Sequence, residues 1–512
     1  MLVDSTVGGR FAEVAERRAR ATALVWDDGG ELRSLDFTTL HSRVRGAAAR
    51  LLELAEPGDR VALWAANSVD WIVAEYAVAT AGMVLVPMNP ALTATEAAFV
   101  LSDSGARVVL AGPPWRGRDL LGTARELDGN RTVLPVEEVA QLTGTVAPSV
   151  GVTPDTPLRI QYTSGTTGVP KGALIDHRLG ANIGPISHAT IGLTETDVVC
   201  SPLPFHHVGG SVCTSSAALL RGATFVLMAS FEPLEALSLL ERAQVTFFGG
   251  VPTMMVAIME RCGGTPPPLP HLRLMMLGGS DVAPELIARV EQAFDAEILN
   301  GYGQSEAPSA LQTHVGDEAW VKAGTIGRVN PHREARITDP ATGEPVPPGT
   351  TGELRLRGPL TIRRYWNEAP DGPSVLVDEQ GWLHTGDLAE MDADGIVTLR
   401  GRLKELVIRG GENIYPAEVE AALAQHPGIA EIAVVGASDP TWGQVPVAFV
   451  RPLGDPPTAE ELEAFARERL ASFKVPRTWR FVSEFPLTPS GKIQKFRLAR
   501  ELSDDTGPAR VG

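Results

Sequence analysis

Apolar residues recur along this chain in two rhythms. Short unbroken runs, VALWAA (61–66), MVLVPM (83–88), ARVVLAG (106–112), TFVLMA (224–229) and VTFFGG (245–250), read as buried strands. Between them lie stretches with apolar residues three and four apart, firm in ELIARVEQAF (285–294) and weaker over 187–191, which read as helices. Strands alternating with helices through most of the first 300 residues predict parallel sheets covered by helices.

After about residue 330 the pattern changes. DPATGEP, PPGTTGE and GELRLRGP set short strands between Gly and Pro turns, the texture of a small β-rich subdomain. DADG and RGG mark further turns in DADGIVTLRGRLKELVIRGGENIYP. Beyond Lys404 a compact α+β unit is expected. Its first helix has Pro416 in the opening turn and stops before HPG (426–428), IAEIAVVGA is a strand, and Thr458 with Glu461 forms a capping box for the next helix. The domain boundary falls near 400–405. No repeat or low-complexity segment interrupts the chain.

A chain of 512 residues is too long for one core, and 44% hydrophobic with 21% charged residues excludes a disordered or fibrous protein. A net charge of -17 makes it a poor general binder of nucleic acid or anionic membrane. Between Glu461 and Arg500 the balance reverses, with nine Lys or Arg against four Glu, either a solvated surface or a seat for a phosphate-rich ligand. Three cysteines without CxxC spacing (Cys200, Cys213, Cys262) argue against a disulfide framework and structural zinc. The start lacks the apolar region of a signal peptide, and the longest apolar run, near Tyr76–Met88, is shorter than the roughly 18 residues of a membrane span. These features predict a soluble cytoplasmic protein.

The stretch TSGTTGVPKG (163–172) has little side chain fit for a core. It follows a short strand, LRIQY (158–162). Gly165, Gly168 and Gly172 allow tight turns, exposed amides in such turns make an anion-binding concavity, and Lys171 adds a cation. The spacing is not that of a Walker A loop, since Pro170 stands five after Gly165 and Gly follows the Lys. Composition alone leaves polyphosphate binding and a flexible connection both open.

In the context of the whole chain, YTSGTTGVPKG resembles the phosphate loop of the adenylate-forming superfamily, which includes acyl-CoA synthetases, aryl-CoA ligases, luciferases and peptide-synthetase adenylation domains. GGSDVAP (278–284) and NGYGQSEA (300–307) resemble its adenine-site motifs, and GWLHTGD (381–387) its ribose motif. GRLKELVIRGGENIYPAEVE (401–420) resembles its hinge and following loop, and PSGKIQK (489–495) its C-terminal lysine motif. The motifs keep the family's order over more than 300 residues. The resemblance implies an α/β fold: a large N-terminal domain of two αβα subdomains plus a β-barrel (1–402), then a small mobile α+β C-terminal domain (403–512).

It also implies a reaction. A carboxylate attacks the α-phosphorus of ATP, giving an acyl-adenylate and pyrophosphate, and a thiol, often that of coenzyme A, displaces AMP. Carried over by motif, Thr163, Ser164, Gly165, Thr166, Thr167, Gly168 and Lys171 would hold the phosphates. Gly278, Gly279 and Ser280 with Asn300, Gly301, Tyr302, Gly303, Gln304 and Ser305 would form the adenine site. Ser305 stands where Thr is commoner. Glu306, with Thr163, would bind Mg²⁺, and Asp387 and Arg402 would hold the ribose. Lys492 would bridge substrate carboxylate and α-phosphate. Lys404 is the implied hinge, and Gly410 and Gly411 the loop that lines a pantetheine tunnel.

On the acyl side, SPLPFHHVGG (201–210) resembles the segment flanking the family's acyl pocket. His207 would gate the carboxylate, with Phe205, His206, Gly209, Gly210, Gly250 and Val251 around it. His206 stands where Phe or Tyr is usual. No Asp lies between Ser201 and Ser216 to pair with a substrate amine, which disfavours an amino acid. Small apolar neighbours favour a medium-to-long or bulky hydrophobic acid. The leading expectation is a carboxylate–CoA ligase using ATP, Mg²⁺ and coenzyme A. The alternatives are an enzyme loading an acyl carrier protein and a nucleotide-binding pseudoenzyme. Acetylation of Lys492 would remove its charge.

Overall fold

A computed structural model describes residues 2–127, 129–144, 150–163, 170–278, 284–369, 374–410, 412–487 and 493–505. Two compact units emerge. The first comprises Met1–Ala335, Leu356–His384 and Gly395–Val397, and the second Arg336–Arg355, Thr385–Asp394 and Thr398–Gly512.

The first unit is built on two sheets. One has six strands, in the order Thr132–Pro135, Val108–Ala111, Arg60–Trp64, Val84–Met88, Pro157–Thr163 and Lys171–Asp176. All neighbours are parallel except the last two, which form an antiparallel hairpin pairing Thr163 with Lys171. The other sheet has nine strands. Its parallel centre runs from Glu297–Gln304 through Leu274–Gly278, Phe247–Gly250, Val198–Ser201 and Thr224–Leu227 to Thr22–Asp28, with antiparallel edges at both ends. Buried strand runs face helices on their covered sides, as the alternation predicted.

The apolar run ending at Met88 is two elements. Helix Val69–Thr80 leads into a turn at Gly82 (φ +68°), followed by strand Val84–Met88. Among the described residues, no helix is long and apolar enough to cross a membrane. The weak helical pattern at 187–191 belongs to helix His177–Thr190, capped by Asp176 and containing Pro185. The firm pattern at 285–294 is helix Pro284–Phe294.

Strands Glu334–Thr338, Gly352–Arg357, Leu383–Met391 and Val397–Arg402 make a four-stranded sheet in that order, where the sequence predicted a β-rich subdomain. The second unit also holds a five-stranded sheet centred on the long antiparallel pair Ile429–Asp439 and Gly443–Pro452. Helix Pro416–Leu423 covers it, and helix Ala459–Arg467 carries the expected capping box between Thr458 and Glu461.

Candidate active site

Strand Pro157–Thr163 alternates sharply. Ile160 enters the core of the six-stranded sheet, while Arg159 and Gln161 point the other way and are also buried. The strand delivers the chain into the Ser/Gly/Thr loop. Ser164, Gly165, Thr166, Thr167 and Gly168 lie outside the described residues, and the hairpin around them is tightly held. Tyr162 donates its hydroxyl to Asp103 at 2.6 Å, and burial together with that carboxylate raises the phenol's pKa. On the return strand, the amide of Trp366 donates to the carbonyl of Gly172 at 2.8 Å. A Cβ at Gly172 would lie 2.6 Å from Ile160, so the glycine is needed for strand and tryptophan to meet.

The segment that clasps this hairpin also reaches the next motif. The Lys171 ammonium lies 5.1 Å from the centre of the Tyr365 ring, and the Tyr365 hydroxyl donates to Oε1 of Glu306 at 3.0 Å. Burial, and then the Glu306 charge, raise the Tyr365 pKa. Glu306 is 8% exposed and sits at the turn between strands Glu297–Gln304 and Ala307–Gln312. Lys171 and Glu306, 135 positions apart, are thus linked by one tyrosine. Among the described residues no cluster of three His, Cys, Asp or Glu forms a metal cage. A buried carboxylate such as Glu306 suits Mg²⁺, which keeps most of its ligands as water and substrate phosphate.

The segments around Gly278 and Gly301, which resemble adenine-site motifs, abut across parallel strands, with Gly278 opposite Gly301. A side chain at Gly278 would strike the Gly301 carbonyl at 2.7 Å, and one at Gly303 the Ser309 amide at 2.6 Å. Asn300 is buried, its amide nitrogen donating to the Thr325 carbonyl at 2.8 Å. Tyr302 and Gln304 are half-buried, and Ser305 is buried. Gly279 and Ser280 lie outside the described residues. Just beyond Glu306, Ser309 adopts a left-handed backbone (φ +41°). Its carbonyl accepts from Asn330 at 2.8 Å and Arg333 at 2.7 Å, which fix the bend.

Phe205 is fully buried between Trp71 and Phe225, at ring distances of 5.2 and 5.9 Å. His206 is half-buried and His207 exposed. Burial, helped by the neighbouring His207 and Arg159, pushes the His206 imidazole down to about 3, so it is neutral at ordinary pH. Gly210 permits the chain's reversal, because a Cβ there would meet the Pro204 carbonyl at 2.4 Å. A Cβ at Gly209 would meet nothing closer than Leu203 at 3.8 Å. A π-helical turn, Ser211–Ser215, follows, an element that concentrates at functional sites. Gly250 ends a core strand, and Val251 caps helix Pro252–Arg261.

In the second unit, Arg402 Nε lies 3.3 Å from Asp387. Gly386 (φ +69°) turns the chain before Asp387. Lys404 lies in the 3₁₀ turn Leu403–Glu405, and burial and then Arg402 lower its pKa. Gly410 has φ +58°, and a Cβ there would lie 2.8 Å from the Trp442 ring, so glycine is required locally as well as for any tunnel. Gly411 and Lys492 lie outside the described residues. Leu487 and Ile493 form an antiparallel bridge, and the Gln494 amide donates to the Pro486 carbonyl at 2.7 Å. Lys495 then reaches Glu420 at 2.7 Å and Glu405 at 3.2 Å.

Sequence reasoning missed Tyr365, Asp103 and Arg333, which carry no motif of their own. Arg159 and Gln161 left a signal, two polar residues in an otherwise apolar strand.

The pattern of the AMP-binding enzyme family matches residues 11–366, and that of the AMP-binding enzyme C-terminal domain residues 418–492. A medium-chain acyl-CoA ligase, ACSF2, of Macaca fascicularis is 33% identical, covering 98% of this chain and 88% of the relative. A CoA ligase of Rhodococcus jostii (strain RHA1), named for a propanoyl group bearing a methyl-dioxo-octahydro-indenyl ring system, is 35% identical over 92% of this chain and 94% of the relative. ATP-bound MatB from Rhodopseudomonas palustris superposes with TM-score 0.87 at 27% identity, covering 98% of this chain and 100% of that one. MenE of Bacillus subtilis, in complex with the acyl-adenylate OSB-AMP, gives 0.85 at 26% over 100% of both chains.

Proposed function

Because the chain belongs to the AMP-binding enzyme family and is an acid–thiol ligase of the acyl-CoA synthetase type, we propose that it converts a medium-to-long or bulky hydrophobic carboxylic acid to its CoA thioester. ATP is cleaved to AMP and pyrophosphate. The observation that carries this reading is the Lys171–Tyr365–Glu306 chain, which supports a cation and an acidic group facing one nucleotide.

In the first half-reaction, a carboxylate oxygen forms a bond to the α-phosphorus as the bond to pyrophosphate breaks. Thr163 to Lys171 hold the phosphates, and Glu306 and Thr163 accept Mg²⁺, which neutralises phosphate charge when bound. Lys492 steadies the charge shared by carboxylate and α-phosphate. Positioning and charge neutralisation supply most of the rate. In the second half-reaction, the thiol sulfur bonds to the acyl carbon, the carbon–oxygen bond to AMP breaks, and the thiol proton passes to solvent. Asp387 and Arg402 hold the ribose. We place the domain boundary at 402/403 and the hinge at Lys404, with Gly410 and Gly411 lining the thiol's path. His207, beside Phe205, His206, Gly209 and Gly210, gates the acid, and Gly250 and Val251 lie on its apolar side. A substrate larger than acetate is favoured by the names of the relatives, a medium-chain acyl-CoA ligase and a CoA ligase of a ring-bearing propanoyl group.

The test is incubation with ATP, Mg²⁺ and a panel of carboxylic acids, with and without coenzyme A, with products read by mass spectrometry. Acyl-CoA from one class of hydrophobic acids is expected. Preference for acetate would overturn the substrate class. Acyl-AMP that never becomes acyl-CoA would move the acceptor to a carrier protein, and ATP binding without pyrophosphate release would mean a pseudoenzyme.

A further inference from the structure

Among the described residues, Arg159 is the largest charged side chain that is fully enclosed, with its side chain 1% exposed. A strand interior rarely holds a guanidinium, and all three nitrogens of this one donate hydrogen bonds. Nε donates to Gln161 Oε1 at 3.0 Å, and Nη1 donates to Glu75 at 3.1 Å and to Ser211 Oγ at 2.6 Å. Nη2 donates to the Phe205 carbonyl at 3.1 Å. Its partners continue the grip. Gln161 donates to the His206 carbonyl at 3.0 Å, and Ser211 Oγ to the His207 carbonyl at 2.9 Å. The carbonyls of residues 205, 206 and 207 are therefore all held by side chains that Arg159 itself supplies or orients. Glu75 contributes one oxygen to Arg159, and its other oxygen is buried without a partner.

A counter-charge for Glu75 would need only one contact. The planar fork instead spans a carboxylate, a hydroxyl, an amide and a main-chain carbonyl, and so sets distances among them. Four residues beyond Arg159, the same strand ends at Thr163 and enters the phosphate loop. We propose that Arg159 is a positioning residue for adenylation, fixing the Phe205–His207 turn to the strand that leads into the phosphate loop, so that acid and nucleotide are held in register. The inference rests on the proposed acyl role of that turn.

The test compares wild type with Arg159→Met, the double variant Arg159→Met/Glu75→Met, and Arg159→Lys. The acid is the panel member giving most acyl-CoA. Read for each are the thermal midpoint, ATP affinity by calorimetry, kcat and KM for the acid in pyrophosphate exchange, and thioester formation from supplied acyl-AMP. The single Met variant strands a buried carboxylate and is expected to be unstable. The double variant removes both charges, a change that buried pairs often tolerate. It should melt near wild type and bind ATP within about threefold, yet adenylate about 100-fold more slowly, the size of effect that misplacement by an ångström brings. Arg159→Lys keeps the charge but not the fork, and should restore stability without restoring kcat. Full adenylation by the stable double variant, or full rescue by lysine, would show that Arg159 only balances Glu75 and would overturn the proposal. A wild type that adenylates no acid would overturn the ligase reading, and this inference with it.

Discussion

Arg159 and Arg402 carry the same guanidinium in opposite settings. The Arg159 side chain is 1% exposed and meets four acceptors, whereas that of Arg402 is 50% exposed with one carboxylate at 3.3 Å. A buried charge is kept only when its partners have fixed geometry, because leaving it unpaired costs several kcal/mol. An exposed pair costs little to break and re-form. Arg159, proposed to fix the Phe205–His207 turn during adenylation, is held by enclosed bonds. Arg402, two positions from the proposed hinge, lies where water can replace a lost contact.

The strongest challenge to this contrast is Lys492→Ala. It should slow adenylate formation about 1,000-fold, while thioester formation from supplied acyl-AMP changes only a few-fold. Equal loss of both halves, measured in parallel assays, would remove the adenylation role. Next in size, Glu306→Gln should cost about 100-fold in adenylation. Tyr365→Phe, which removes one bond to a charged group, should cost about tenfold. Both deficits should shrink as Mg²⁺ is raised, and insensitivity to the metal in a titration would detach Glu306 from it. Lys404→Pro should spare pyrophosphate exchange and slow thioester formation about tenfold, through a backbone that no longer turns at the hinge. An unchanged second half-reaction would contradict the hinge.

Enclosure also sets the response to pH. Burial pushes the imidazoles of His177, His188 and His206 down to about 4, 3 and 3. In the unfolded chain they protonate below about 6.5. Their contribution to stability is full above that pH and is lost as pH falls toward 4 and 3, by up to about 1.4 kcal/mol per imidazole per pH unit. Glu75 has the opposite sign. Burial raises it to about 7 against the pull of Arg159, so its contribution is present at low pH and lost as pH rises from 4.5 to 7. Denaturant titrations should find proton uptake on unfolding at pH 5.5, increased in Glu75→Gln; proton release in the wild type would reverse the assignment. The smallest effect belongs to the surface. Glu195→Gln, which breaks the exposed pair with Arg17, should leave the thermal midpoint essentially unchanged.

The sequence made much of this plan legible. Strand runs such as VALWAA, the Thr458–Glu461 box and helix 284–294 announce themselves through local spacing, which local physics then realises. The motif residues around Glu306 and Asp387 were found because their neighbours in sequence carry the resemblance. Tyr365 was not legible. Its partners, Lys171 and Glu306, are 194 and 59 positions away, and TIRRYW gives no sign that its backbone will lie along the hairpin strand Lys171–Asp176. Asp103 and Arg333 fail for the same reason. Each acts through main-chain or side-chain partners that only the packed sheets bring near. Arg159 was visible as an oddity within LRIQY, but its meaning depended on the turn at 205–207.

Lys495 opens helix Lys495–Asp505, where the helix dipole disfavours a cation. Burial alone would lower its pKa, but the carboxylates of Glu420 and Glu405 more than offset that and hold it above the usual range. An enzyme that makes a mixed anhydride exposes its own amines to acylation. An ammonium locked between two carboxylates has no lone pair to offer, so this lysine, three positions from Lys492, is held in the form that an acyl donor cannot capture.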